Sequence, residues 1–391
     1  MFLQVHYLTS YHASLLNRDD AGLAKRISFG GVPRLRVSSQ SQKKHWRDWM
    51  IAQTEVSHGW RSRHFFSRVL KQRLLESGME ETRAQALILQ LAKGILKASD
   101  SKEPLSDDLA MKQPVLFGEP EAQYLAAMIR EVGQKPRLED AKAGLEQRLK
   151  SERKNFEAML RQNGFRDPAA GFEGALFGRF VTSDILARVD APVHVAHAFT
   201  THALESEVDF FTVVDDLASE EETGAAHTND MELGAGIFYG YVAVDTPLLI
   251  SNLTGCRRET WRDEEKSVAK ELLNLLIHAI AEVTPGAKLG ATAPYARAQC
   301  LILEIGLGQP RSLANSFLRP VTMGRAGQDP MAESVRAMAA YLDSMESMYG
   351  SGDERRYVAS LHEWPREHEP IMPLQQVIDH GLQQLLKGDA S

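Results

Sequence analysis

Apolar and polar residues alternate from the start of the chain. Phe2-Leu3-Gln4-Val5-His6-Tyr7-Leu8-Thr9 is rich in β-branched and aromatic residues and predicts a first strand over 2–9. Arg34-Leu35-Arg36-Val37 alternates cation and apolar residue, the pattern of a half-exposed strand with both arginines on its open face. Between them, Asn17-Arg18-Asp19-Asp20 and Phe29-Gly30-Gly31-Val32-Pro33 read as a glycine-punctuated loop. Ser38 or Ser39 suits the N-cap of a helix carrying Lys43, Lys44 and Arg47, with Trp46 turned inward. The period then becomes helical over 62–77, 80–97, 119–132 and 139–162, with Pro and Gly as separators. The last stretch is long and heavily charged, and is expected to stand out from the body.

From 192 to 247 the pattern returns to strands, over His194–Thr200 and Gly236–Val244. Between these lies an acidic excursion, Glu205 to Gly234, whose length and turn chemistry predict an extended hairpin. An amphipathic helix over 263–283 and a buried strand over 298–306 follow. Strands and helices in this alternation, with large insertions, predict an α+β domain of ferredoxin-like type.

Charge changes the picture. The chain has 391 residues and a net charge of −7, yet residues 1–75 hold 13 Lys or Arg against only four acids, a local excess of +9. From 189 to 256 there is no Lys or Arg. Such asymmetry points to a polyanion site at one end. To hold RNA without reading its sequence, a protein needs cations and polar donors aimed at phosphates. It also needs aromatic faces on which bases stack. The segment from Arg34 through Ser38, Ser39 and Gln40 to Lys44 meets the first need, and Lys43 and Arg47 share a helix face. Phe210 and Phe211, adjacent on a predicted strand, meet the second, since their side chains point to opposite faces.

Other chemistries find less support. Asp19 and Asp20 are paired carboxylates beside these cations, and as Mg2+ ligands they would give the alternative of an RNA-cutting enzyme. Pairing with the neighbouring arginine or capping of their own loop is the simpler role. His194, His197 and His202 match no zinc spacing and read as structural histidines. No GxxxxGK[ST], GxGxxG or GxSxG motif is present, so no cofactor is expected. Cys256 and Cys300, the only cysteines, form no CxxC pair and fit a reducing compartment. No apolar run approaches the roughly 20 residues that cross a bilayer. With no leader pattern at the start, the expectation is a cytoplasmic protein without a membrane partner.

Asn17-Arg18-Asp19-Asp20, Phe29-Gly30-Gly31 and the run Arg34 to Lys44 together resemble the signature of the backbone subunit of type I-E CRISPR Cascade complexes, the CasC family of the RAMP superfamily. Blocks at Gly178–Ser183, Ala196–His202, Asp209–Leu217, Gly236–Tyr239 and Pro285–Lys288 extend the resemblance in the same order, and it is weakest in the helical region. It implies an RRM/ferredoxin-like palm (1–58, 181–200 and 236–391), a helical fingers insertion at 59–180 and a β-hairpin thumb at 201–235. Copies would stack head to tail along a CRISPR RNA beside other Cascade subunits, without catalysis, and display its bases for pairing with target DNA. By the same resemblance Arg18, Lys25, Arg26, Arg36, Ser38, Gln40, Lys43 and Arg47 contact the RNA backbone, with Lys288 counted among them. Phe180, Phe210, Phe211 and Thr212 would flank or wedge the bases. An acidic thumb, including Asp215 and Asp216, docking on a neighbour's basic start would give the stack an electrostatic direction.

Overall fold

The computed structural model describes residues 1–96, 104–152, 168–179, 188–213, 227–286, 289–323, 327–350, 352 and 354–387. In chain order the elements are β1 (Phe2–Ser14), β2 (Arg26–Phe29), β3 (Val32–Val37), α1 (Ser39–Ile51), β4 (Gly59–Ser62), α2 (Lys71–Glu76), α3 (Glu81–Ile95), β5 (Val115–Gly118), α4 (Glu119–Gly133) and α5 (Leu138–Glu152). There follow β6 (Val193–Val195), β7 (Ala198–Thr200), β8 (Ser206–Val213), β9 (His227–Asp245), β10 (Ala298–Gly306) and β11 (Arg355–Ser360), with further helices named below by their residues. Helices beside an antiparallel sheet make the chain α+β, as the pattern predicted. It divides into two units, Met1–Gln53 with His194–Val244 and Leu273–Ser391, and Thr54–Val193 with Asp245–Leu272.

The first unit is built on a sheet ordered β11-β10-β1-β9-β7-β3-β2, with β6 and β8 joining β9 off that path. β1 lies between β10 and β9, and residues Leu3 to Leu8 are buried on both of its faces, so its alternation of polar and apolar residues does not mark an open side. Gln4 and His6 are therefore buried and must be hydrogen-bonded. Helix Pro330–Tyr349 lays Met331, Val335, Met338 and Leu342, one helical stripe, onto Leu8, Tyr239, Ile302 and Val358. Helix Leu374–Leu386 packs on β10 and β11 with Val377, Ile378, Leu382 and Leu385 buried. Gly381 permits this approach, since a Cβ there would lie 2.2 Å from Leu303 Cδ2. The acidic excursion is a hairpin at its described ends, with β8 antiparallel to β9 from Ser206 opposite Gly234 to Val213 opposite His227.

In the second unit, α3, α4 and α5 gather one apolar core with Phe65, Phe66 and Phe117. α5 corrects the expectation of a projecting helix. Ala141, Leu145 and Leu149, at a spacing of four, are buried in that core while the charges take the other side. A buried ion pair, Arg179 Nη1 to Glu121 Oε2 at 2.6 Å, and an Arg179 hydrogen bond to the Leu116 carbonyl hold the unit's edge.

Candidate nucleic-acid interface

The basic N-terminal segment folds as a hairpin followed by a helix. β2 and β3 pair from Arg26 opposite Leu35 to Phe29 opposite Val32, which leaves Gly30-Gly31 as a two-residue turn. Both glycines have positive φ, 64° and 80°, as a tight hairpin turn of this hand requires. Gly30 also lies where a Cβ would strike the Leu318 carbonyl, so a side chain there would push the hairpin off its support. Ser38 caps α1, its side chain accepting from Ser41 N at 3.2 Å, and the first turn holds no acid. Trp46 and Met50 are buried along the inner face with Gln42. Gln42 Nε2 donates to the Val37 and Ala196 carbonyls, and its Oε1 accepts from the Tyr7 hydroxyl at 2.5 Å, so this motif glutamine clamps β1, β3 and α1 together.

Arg36 sits beside the helix start. Arg36 donates from Nε to the Arg26 carbonyl (3.3 Å) and from Nη1 to His197 Nδ1 (3.2 Å). Ser39 N–H donates to the same nitrogen at 3.3 Å. His197 is held below its ordinary pKa by partial desolvation and then by the charges of Arg36, Lys25 and Lys43. Lys25 is set by its backbone, donating to the Asn17 carbonyl and accepting from Arg36 N. Asn17 Oδ1 in turn accepts from Ser38 N, tying the loop to the helix cap.

A model of the CT1975-like protein family matches residues 3–385. The chain belongs to that family. Its fold matches a chain of a solved structure titled CRISPR RNA-guided surveillance complex, pre-nicking, with a TM-score of 0.76, 24% identity and coverage of 98% of this chain and 100% of that one. A second, titled CRISPR RNA-guided surveillance complex, matches with a TM-score of 0.65, 20% identity and the same coverage. No curated protein matches the chain.

Within this CT1975-like chain the expected contacts fall into distinct groups. Arg36 meets His197 as described, the charges of Lys25 and Lys43 also act on that ring, and Arg18 and Gln40 are exposed nearby in sequence. Lys44 and Arg47 both pair with Asp48, at 2.7 and 3.0 Å, which holds that carboxyl below its ordinary value although burial acts the other way. Arg26 is bound to Glu232 of β9, whose other oxygen accepts from Ala24 N at 2.9 Å, so one acid of the acidic stretch is committed within the chain.

Arg34 is a correction. It is 0% exposed and donates to the Phe29, Thr200 and Phe317 carbonyls, with its guanidinium 5.5 Å from the Phe29 ring centroid and 5.9 Å from that of Phe199. β3 has the open face expected only at Arg36, because the segment through Phe317 and Leu318 covers the Arg34 end. Ser38 and Ser39 are buried as well: the Ser38 hydroxyl accepts at the helix start, and that of Ser39 donates to Gln40 Oε1. Phe210, Phe211 and Thr212 lie in β8 opposite Asp230, Asn229 and Thr228. Phe180, Lys288, Asp215 and Asp216 lie outside the described residues.

Asp19 Oδ1 accepts from Ala21 N and Leu23 N, both at 2.9 Å, and caps its own loop. His202 is a buried structural residue, accepting from Ile237 N at Nε2 and donating to the Ala203 carbonyl from Nδ1. Among the described residues no cluster of His, Cys, Asp or Glu is arranged to hold a metal ion. His197, grouped by spacing with the structural histidines, instead stands at the centre of the cationic site. Nothing in the spacing of His194, His197 and His202 sets it apart; pairing of β7 with β3 does, by placing it against Arg36.

Proposed function

We propose that this chain is a non-catalytic backbone subunit of a CRISPR surveillance complex, of type I-E, that holds single-stranded guide RNA by its sugar–phosphate backbone. Copies stack head to tail along the guide, and the exposed bases pair with target DNA, so sequence specificity belongs to the RNA. The observation that supports this best is Arg36 held against His197 beside an acid-free helix start, in a chain whose total charge is negative but whose first 75 residues carry a local excess of +9. Its likeness in fold to chains of CRISPR RNA-guided surveillance complexes supports the same assignment. The β8–β9 hairpin fits the role of a thumb, and the larger sheet that of a palm.

The RNA-cutting alternative is weaker, because Asp19 serves as a loop cap beside Arg18 and is not turned toward a second acid ligand set. Size-exclusion with light scattering, on the chain alone and with CRISPR-length RNA, tests the proposal. Discrete assemblies whose protein copy number grows with RNA length are expected. A one-to-one complex at every length would instead identify a stand-alone RNA chaperone.

A further inference from the structure

His197 accepts two hydrogen bonds at one nitrogen, and that fact fixes its protonation. A backbone N–H and a guanidinium are donors only, so Nδ1 must carry a lone pair toward Ser39 N (3.3 Å) and Arg36 Nη1 (3.2 Å). The ring is therefore neutral, with its proton on Nε2, and the residue is exposed. The charged groups that act on it are Arg36 from β3, Lys25 from the loop before β2, and Lys43 from α1, with no carboxylate among them. An imidazole lone pair thus occupies the place where a guanidinium and a helix-start N–H would otherwise receive an anion.

We propose that His197 is a placeholder for an RNA phosphate, and that phosphate binding at this site is coupled to uptake of one proton by its ring. Resting on the guide-RNA assignment above, this deepens it by one residue and one linked equilibrium. The step balances simply. A proton from solvent adds to the Nδ1 lone pair, Ser39 N–H and Arg36 lose that acceptor, and a phosphate oxygen takes both donors. The resulting imidazolium adds a positive charge facing the same phosphate. In the free chain the surrounding cations disfavour protonation; a bound phosphate reverses the sign of the local field.

The linkage has a definite direction. The bound form holds the proton more tightly than the free form, so RNA affinity rises as pH falls through the histidine range, by up to about tenfold per pH unit for one proton. Labelled single-stranded RNA of fixed length, titrated at constant ionic strength between about pH 5.5 and about pH 8, reads this. The His197→Gln variant keeps an acceptor oxygen for Ser39 N and Arg36 but cannot titrate. Whatever its affinity near pH 8, it should lose most of the pH dependence that the parent shows. A parental pH profile in His197→Gln, or affinity that rises with pH, overturns the proposal while leaving RNA binding itself intact. Should neither protein bind RNA at low salt, the guide-RNA assignment falls and this inference with it. Calorimetry of the unmodified chain in two buffers of different ionisation enthalpy counts the protons directly, so the proposal does not depend on the variant folding; zero uptake near pH 6.5 would refute it.

Discussion

Two clusters of arginine and histidine in the first unit use the same residue types for opposite ends. Around Glu304, everything is closed. That carboxylate is 0% exposed and receives Arg311 at 2.6 and 3.1 Å, Arg356, and His6 Nε2 at 3.1 Å. Arg356 continues to Glu346 and Glu369, and Arg366 binds Asp343, Glu346 and Glu369, so each cation meets an acid. Around His197, Arg36 meets a carbonyl and an imidazole and, among the described residues, no carboxylate. Charges neutralised inside the fold fasten β1, β10 and β11; charges left open at its surface remain available to an anion. The contrast recurs over two residues, with Arg34 sealed under three carbonyls and Arg36 in reach of solvent.

That contrast can be broken from either side. Glu304→Ala leaves Arg311, Arg356 and His6 without their common partner, and should lower stability by about 3–5 kcal/mol in urea unfolding, because unpaired buried charge is costly. Arg34→Ala should cost about 2–4 kcal/mol by removing a charged donor from three buried carbonyls. The folded Arg34→Ala protein should keep the parental salt dependence of RNA binding. A lost salt increment would return Arg34 to the interface.

Acid should act on the closed cluster first. Burial holds His6 below its ordinary value, so the unfolded chain takes the proton more readily, and the associated stability, intact above about pH 6.5, is lost as pH falls. Burial pushes Glu304 upward, but the hydrogen bonds and charges of His6 and Arg311 more than offset it and hold the carboxyl well below the usual range. Its contribution is therefore intact above about pH 4.3 and lost below it. Thermal melts between these values should show a falling midpoint, and His6→Gln should remove the upper step and weaken the lower one, because His6 helps hold Glu304 down.

Much of this was legible in advance, for local reasons. Strand-forming residues located β1, an apolar run located β10, the serine located the cap of α1, and helical spacing located α3 and α4. β2 was hidden in a segment that reads as loop, although Gly30-Gly31 between two short runs is itself a hairpin signal. α5 looked solvent-borne because its apolar stripe is only three residues wide among many charges. The site was legible as a charge excess but not residue by residue. Period-two spacing assigns Arg34 and Arg36 to one face, yet burial along that face depends on Phe317 and Leu318, nearly 300 positions away. Glu232, which takes Arg26, and His197, which takes Arg36, are likewise long-range partners that no local pattern announces.

The smallest change to the fold should produce the clearest change in binding. Arg36→Ala/Lys43→Ala removes two cations near the helix start and should leave stability within about 1 kcal/mol of the parent. The decisive measurement is the slope of log affinity against log salt for single-stranded RNA, parent against this double variant. The slope should become shallower by about 0.7 per lost phosphate contact, hence by about 1.4 in all. An unchanged slope would mean that these cations do not grip the nucleic acid, and the account of the open cluster would be wrong.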